Sequence, residues 1–78
     1  MERGRTKYEI LDAALTLFST GGYEATSISQ IAEAVGIRKA SLYGHFASKQ
    51  DILDELIEII QKQYEDHSMF AQADWNNA

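Results

Sequence analysis

The sequence predicts an all-α fold, a headpiece of three short helices followed by a longer fourth one. Three observations carry that reading. Apolar residues recur at helical spacing in four separate segments. No alternating run of β-branched residues stands between turn signals, which leaves no strand. The chain has no proline, so its stops are written in glycine and polar caps. At 78 residues it makes one small domain, and a fold of this size buries only about 60% of the surface its unfolded chain exposes. That is too little for a cofactor-binding α/β enzyme built from repeated strand–helix units. Hydrophobic residues at 45% and charged residues at 24% are globular values, not those of a disordered tail.

The first helix is predicted from about Thr6 to Ser19, with Ile10, Leu11, Ala14 and Phe18 on one stripe. Gly21-Gly22 ends it, and Tyr23-Glu24-Ala25-Thr26 is a short connector. Ser27-Ile28-Ser29-Gln30 has the form of a capping box, in which the serine side chain and the glutamine side chain each satisfy a backbone N–H. Ile28, Ile31, Ala32 and Val35 follow at helical spacing, and Gly36 closes this second helix. A third helix is predicted from about Lys39 to His45, with Ala40, Leu42, Tyr43 and Phe46 as its apolar members. Ser48-Lys49-Gln50-Asp51 caps a fourth helix from about Lys49 to Asp66, with Asp51 against the positive end of its dipole.

That fourth helix carries two adjoining apolar stripes, Ile52 with Leu56, Ile59 and Ile60, and Leu53 with Ile57 and Tyr64. A three-helix headpiece buries one of them, so the other should seek another surface. The predicted organisation is a headpiece at 1–48, a connecting helix at 49–67 and a frayed tail at 68–78, with Trp75 isolated in it.

Several functions are excluded or disfavoured. There is no cysteine, which removes disulfides and thiolate metal sites. No apolar run approaches the ~20 residues that span a membrane, and Met1 to Arg5 is not followed by the apolar stretch of a signal peptide. A cytoplasmic location is expected. Asp51, Asp54, Glu55 and Glu58 sit on a single helix and read as a solvated face, and Glu65-Asp66-His67 is a weak metal signal. Neither histidine has a nucleophile at triad spacing, and no glycine loop cradles a phosphate. No catalytic residue, cofactor or metal is expected, and the chain is not expected to be an enzyme.

The informative stretch is Ile28 to Phe46. Gly36 turns the chain sharply after one short helix, Ala32 allows the next to cross closely, and Ile31, Val35, Ile37 and Leu42 fill the wedge between them. This is the layout of a homeodomain-like helix-turn-helix headpiece, whose second helix enters the major groove of double-stranded DNA. The basic pair Arg38-Lys39 opens that helix. The net charge of −5 speaks against such a partner at first sight. The charge is polarised, however. Through Lys49 six basic residues stand against five acidic ones, a net of +1; beyond it Lys62 alone stands against seven, a net of −6. From pattern alone Tyr43 reads equally as a half-buried core residue or a phosphate contact, His45 as a structural histidine, and Lys49 as a solvated lysine.

The run from Ala25 to Ile37, followed by Ser41-Leu42-Tyr43-Gly44-His45-Phe46-Ala47-Ser48-Lys49, resembles the signature of the tetracycline-repressor (TetR) family of bacterial transcription regulators. Ile10 to Tyr23, with Ala13-Ala14, Phe18 and Gly22-Tyr23, is similar to that family's first helix and turn. The resemblance spans roughly Arg5 to Ile60. It implies a sequence-specific DNA-binding regulator, expected to be a repressor. Arg38 and Lys39 then reach base edges and can donate to guanine, and Ala40 meets a thymine methyl. Ser41, Tyr43 and His45 hold phosphates, and Ser27 and Ser29 face DNA. Lys49 binds a phosphate beside a helix N-terminus. Arg3, Arg5 and Lys7 form a less constrained basic arm.

The resemblance also implies a homodimer on a palindromic operator, and a small-molecule inducer if a C-terminal domain exists. Two departures stand out. Arg38 replaces a small polar cap, and Gly44 stands where relatives carry a bulky residue, which loosens the end of the third helix. The alternative is a small helical protein-interaction or dimerisation module that keeps the headpiece fold without binding DNA, with the second stripe of the fourth helix and the acidic second half as its surface.

Overall fold

The computed structural model describes the backbone of residues 2–77 and the side chains of residues 5–65. Four helices follow one another, α1 (Glu2–Gly21), α2 (Ile28–Val35), α3 (Lys39–Tyr43) and α4 (Lys49–Asn77), and the described residues contain no strand. α1 packs against α2 and α4, and α2 against α3. One core joins them, built from Ile10, Leu11, Ala14, Ile31, Ala32, Leu42, Phe46, Ile52 and Leu56.

The stops work through local chemistry. α1 ends where Gly22 takes a φ of 97° and donates its N–H to Phe18 O at 3.0 Å. Thr26, in the connector, is 96% buried because it has polar partners: its hydroxyl donates to Gly22 O at 2.8 Å and to Leu17 O at 3.3 Å. The capping box forms as predicted. Gln30 N–H donates to the Ser27 hydroxyl at 3.1 Å, and Ser27 N–H donates to Gln30 Oε1 at 2.8 Å. At the other end of α2, Gly36 sits at φ 86° and donates to Glu33 O, while Ile37 N–H reaches back to Ala32 O. This Schellman closure aims the chain into α3.

Four features differ from the sequence reading. α1 begins at Glu2 rather than near Thr6, so Arg5 and Lys7 stand on a helix and not on a free arm; the side chain of Arg3 lies outside the described residues. α3 stops at Tyr43, two residues before His45. There the chain tightens, with Gly44 N–H bonding Ser41 O and His45 N–H bonding Leu42 O, the short-range pattern of a closing helix. α4 runs well past Asp66, and its backbone is helical through Asn77, across the stretch read as frayed. No glycine or proline follows Gly44, so nothing in that stretch writes a stop. The side chains of Asp66, His67 and Trp75 lie outside the described residues.

The fourth difference concerns the stripes. Ile52 and Leu56 are buried, Ile59 packs on the core and Leu53 is half-buried. Ile60, assigned to the inner stripe, instead joins Ile57 and Tyr64 on the exposed side, at 50% exposure. The acidic face of α4 is not wholly solvated either. Glu55 is half-buried and its carboxylate lies 3.6 Å from Lys7 Nζ.

Gly36→Ala should lower stability by about 1–2 kcal/mol, because a Cβ is strained in the left-handed region. Leu42→Ala should cost about 2–5 kcal/mol by opening a cavity. Urea denaturation followed by circular dichroism measures both, and a Gly36→Ala midpoint equal to that of the wild type would contradict the turn argument.

Candidate nucleic-acid interface

α3 is five residues long, and its N-cap, Arg38, makes no side-chain cap bond. The weak cap expected from arginine at this position is therefore present. What holds the helix is Leu42, 0% exposed, turned into the core between exposed neighbours. Burying that one side chain turns Arg38, Lys39, Ala40 and Ser41 outward, together with Tyr43 at 46% exposure. Tyr43 thus stands at the surface and outside the core cluster. Arg38 and Lys39 have no carboxylate within ion-pair distance among the described residues. Their charges are available to a ligand. Arg5, by contrast, pairs with Glu9 at 3.3 Å, and Lys7 pairs with Glu55. Those two cations of the supposed arm are already matched inside the headpiece.

The remaining candidates are placed less uniformly. Ser29 is exposed near the start of α2. Ser27 is exposed too, but its hydroxyl oxygen already receives Gln30 N–H; its own O–H is left to donate outward. His45 is half-buried in the turn after α3. Gly44 has a right-handed backbone, and a Cβ there would come within 3.1 Å of Ser41 O. The position therefore favours glycine for packing against the last turn of α3, without needing a left-handed conformation.

Lys49 is the residue whose surroundings the sequence did not announce. Its ammonium donates to Tyr23 O at 2.7 Å and Thr26 O at 3.0 Å, and it lies 4.2 Å from the centroid of the Tyr23 ring. The Tyr23 hydroxyl in turn donates to Gln50 Oε1 at 3.3 Å, and its ring meets Phe18 edge-on at 5.0 Å. This cluster joins the end of α1, the α1–α2 turn and the start of α4. A lysine 26 and 23 residues after its two carbonyl partners leaves no signal in local spacing. No group of three or more His, Asp or Glu side chains gathers into a metal site among the described residues.

The comparisons with known proteins bear on the family and the fold. Residues 10–56 match the family model described as bacterial regulatory proteins, tetR family. This chain belongs to that family. It is 48% identical over 52 residues to the biofilm operon icaADBC HTH-type negative transcriptional regulator IcaR of Staphylococcus aureus (strain Newman), a match covering 67% of this chain and 28% of that protein. It is 41% identical over 58 residues to the HTH-type transcriptional regulator AcrR of Shigella flexneri, covering 74% of this chain and 27% of that one. The chain thus spans little more than a quarter of the length of these relatives.

Among solved structures, AmtR of Mycobacterium smegmatis superposes with a TM-score of 0.62 at 61% identity, over 63% of this chain and 24% of that one. The tetR family protein CprB of S. coelicolor A3(2) superposes with a TM-score of 0.79 at 35% identity, over 83% and 34%. The all-α helix-turn-helix fold of the family is therefore shared by this member.

Ser27→Ala should lower stability by about 1 kcal/mol through loss of the cap, a fall in Tm of roughly 4–8 °C for a domain of this size. Ser29→Ala should leave Tm unchanged within error, because its hydroxyl caps nothing. Calorimetry on the two variants checks the contrast.

Proposed function

We propose that this chain is the sequence-specific DNA-binding headpiece of a transcription repressor, and that α3 enters the major groove. The observation that carries the reading is the outward set of Arg38, Lys39, Ala40, Ser41 and Tyr43 on a helix anchored by Leu42, with both cations unmatched by carboxylates. A guanidinium or ammonium at the opening of such a helix can donate to guanine O6 and N7, and the methyl of Ala40 suits a thymine methyl. Ser41, Tyr43 and His45 on one side, and Ser27 and Ser29 on α2, supply neutral donors for phosphate oxygens. The relatives named HTH-type regulators, one of them a negative regulator, support this assignment.

The work is recognition, not catalysis, and it belongs in the cytoplasm beside DNA. No described helix is long and apolar enough to cross a membrane. Two copies reading the halves of a palindrome would double the contact set, with half-sites about 34 Å apart. The exposed Ile57, Ile60 and Tyr64 give α4 an apolar face for such pairing or for a ligand-binding domain like those the longer relatives have room for. A small-molecule inducer acts only where such a domain is attached.

The test is binding to duplexes selected from a random-sequence pool, read by fluorescence anisotropy across salt concentrations. Affinity should fall steeply as salt rises. Lys39→Ala should cost about 1–3 kcal/mol on the best site and relax preference at one base pair. Tyr43→Phe should cost about 0.5–1.5 kcal/mol on every sequence alike, with the salt slope unchanged, because no cation is lost. An absence of salt-dependent duplex binding, even after fusion to a dimerising segment, would sink the proposal.

A further inference from the structure

We infer that Arg38 is a specificity-determining residue: it stands at the cap of α3 without capping it, and its guanidinium reads a guanine at the base pair next to the one that Lys39 reads. This inference rests on the reading that α3 enters the major groove. Two other helices begin on serine. Ser27 makes both bonds of a capping box at α2, and the Ser48 hydroxyl accepts Asp51 N–H at the head of α4. α3 is the shortest of the four helices, with five residues, and a helix so short depends most on its cap. Yet residue 38 is an arginine, whose side chain carries only donors and cannot accept from the first turn. Nothing inside the fold offsets that loss. Arg38 is exposed, and no hydrogen bond or ion pair joins its side chain to another described residue. A local rule broken where the structure can least absorb it, with no internal gain, is the mark of a functional position.

The backbone beneath this free side chain is fixed. Ile37 N–H donates to Ala32 O at 3.0 Å on one side, and Arg38 O accepts Leu42 N–H at 3.1 Å on the other. Arg38 itself is extended, at φ −79° and ψ 153°. Its Cα is thus tied both to the closure of α2 and to the anchor of α3, while its guanidinium has no partner. That is the arrangement that presents a recognition group from a rigid support. Chemistry then names the base. A guanidinium offers two parallel N–H donors in one plane, and in the major groove guanine alone presents two acceptors, O6 and N7, to such a fork. Lys39 offers a point charge instead. Consecutive Cα atoms stand about 3.8 Å apart, close to the roughly 3.4 Å between base pairs. Neighbouring residues at the head of α3 therefore address neighbouring base pairs. The binding group is the guanidinium, and the N-terminus of so short a helix has no part in it.

The experiment compares the wild-type chain with Arg38→Ser, which supplies a cap and removes the guanidinium, and Arg38→Lys, which keeps the charge and removes the fork. Each selects duplexes from a random-sequence pool at about 50 mM salt, and calorimetry gives each Tm. The wild type should select a guanine at one half-site position where Arg38→Ser shows no preference, with the other positions unchanged. On the wild-type site Arg38→Ser should bind roughly 5- to 150-fold more weakly. Arg38→Lys should keep most of the affinity for unrelated sequences and lose most of the guanine preference. Replacing that guanine by 7-deazaguanine, which lacks the N7 acceptor but pairs normally, should weaken wild-type binding about ten-fold and leave Arg38→Ser unchanged. In the DNA-free protein Arg38→Ser should raise Tm by roughly 4–8 °C, the gain of one cap.

In Arg38→Ser, a loss of affinity equal on every sequence, with the slope of log Kd against log salt lowered by about 0.9, would show a phosphate contact and overturn the inference. So would an Arg38→Ser variant that selects the wild-type site, or a wild type indifferent to 7-deazaguanine at every guanine it selects. An Arg38→Ser Tm no higher than that of the wild type would show that residue 38 gives up no cap, and would overturn the structural half of the inference. A wild type that binds no duplex in a salt-dependent way removes the DNA-binding reading and this inference with it. A wild type that binds, beside an Arg38→Ser variant of unchanged preference, removes this inference alone.

Discussion

α3 has five residues, fewer than two turns, and a helix that short has no stability of its own in water. Nucleation costs more than its few hydrogen bonds return, and its cap residue contributes no side-chain bond. Its existence is a tertiary effect. Gly36 and Ile37 aim the chain through the closure on α2, Leu42 is driven fully into the core, and Phe46 follows it into the same cluster. Because these anchors lie on one side, the opposite side is left to Arg38, Lys39, Ala40, Ser41 and Tyr43. The surface that matters is the by-product of a packing constraint. The rest of the domain, α1 and the first two turns of α4, exists to give Leu42 somewhere to go.

What could be read in the sequence was what local chemistry decides. The Ser27–Gln30 box, the glycine at the end of α2 and the Ser48 cap, whose hydroxyl accepts Asp51 N–H at 3.1 Å, are short-range bonds with fixed spacings. The core stripe of α1 follows from helical period alone. The residues that were not legible are those whose roles depend on distant partners. Thr26 looked like part of a polar connector, and only the folded chain shows it buried against Gly22 and Leu17 carbonyls. Lys49 matched a motif position, yet its carbonyl partners stand 26 and 23 residues upstream. Ile60 fell on the wrong side of α4 because adjoining stripes share a boundary, and which side of it meets the core depends on how α4 lies across α1.

The placement of charge follows from the same packing. A net charge of −5 is carried mostly by α4 and beyond, while the cations of α1 lean on carboxylates, Arg5 on Glu9 and Lys7 on Glu55. Those pairs are exposed or half-exposed and contribute little to stability, on the order of 0–1 kcal/mol each. Their larger effect is on the field. They cancel positive charge near the start of α1, and Lys49 is drawn into the α1–α2 turn. On the headpiece, the described cations left without an internal partner are Arg38 and Lys39, adjacent at the head of α3.

For an approaching polyanion this arrangement acts as an orientation rule. The acidic flank of α4 repels it, the paired α1 surface is close to neutral, and α3 attracts. Only one face can lead. The same economy limits the strength of a single headpiece. Each cation placed on a phosphate contributes about 0.9 to the salt slope, and a cation reading a base edge is withdrawn from that count. With two unmatched cations on α3, one copy has little non-specific grip to spend before it recognises anything. Under the proposed reading, joining two such faces would add discrimination. The apolar side of α4, Ile57, Ile60 and Tyr64, is turned away from the headpiece core; in the proposed reading, the acidic helix that would repel DNA is also the one that would bring a second reading face alongside.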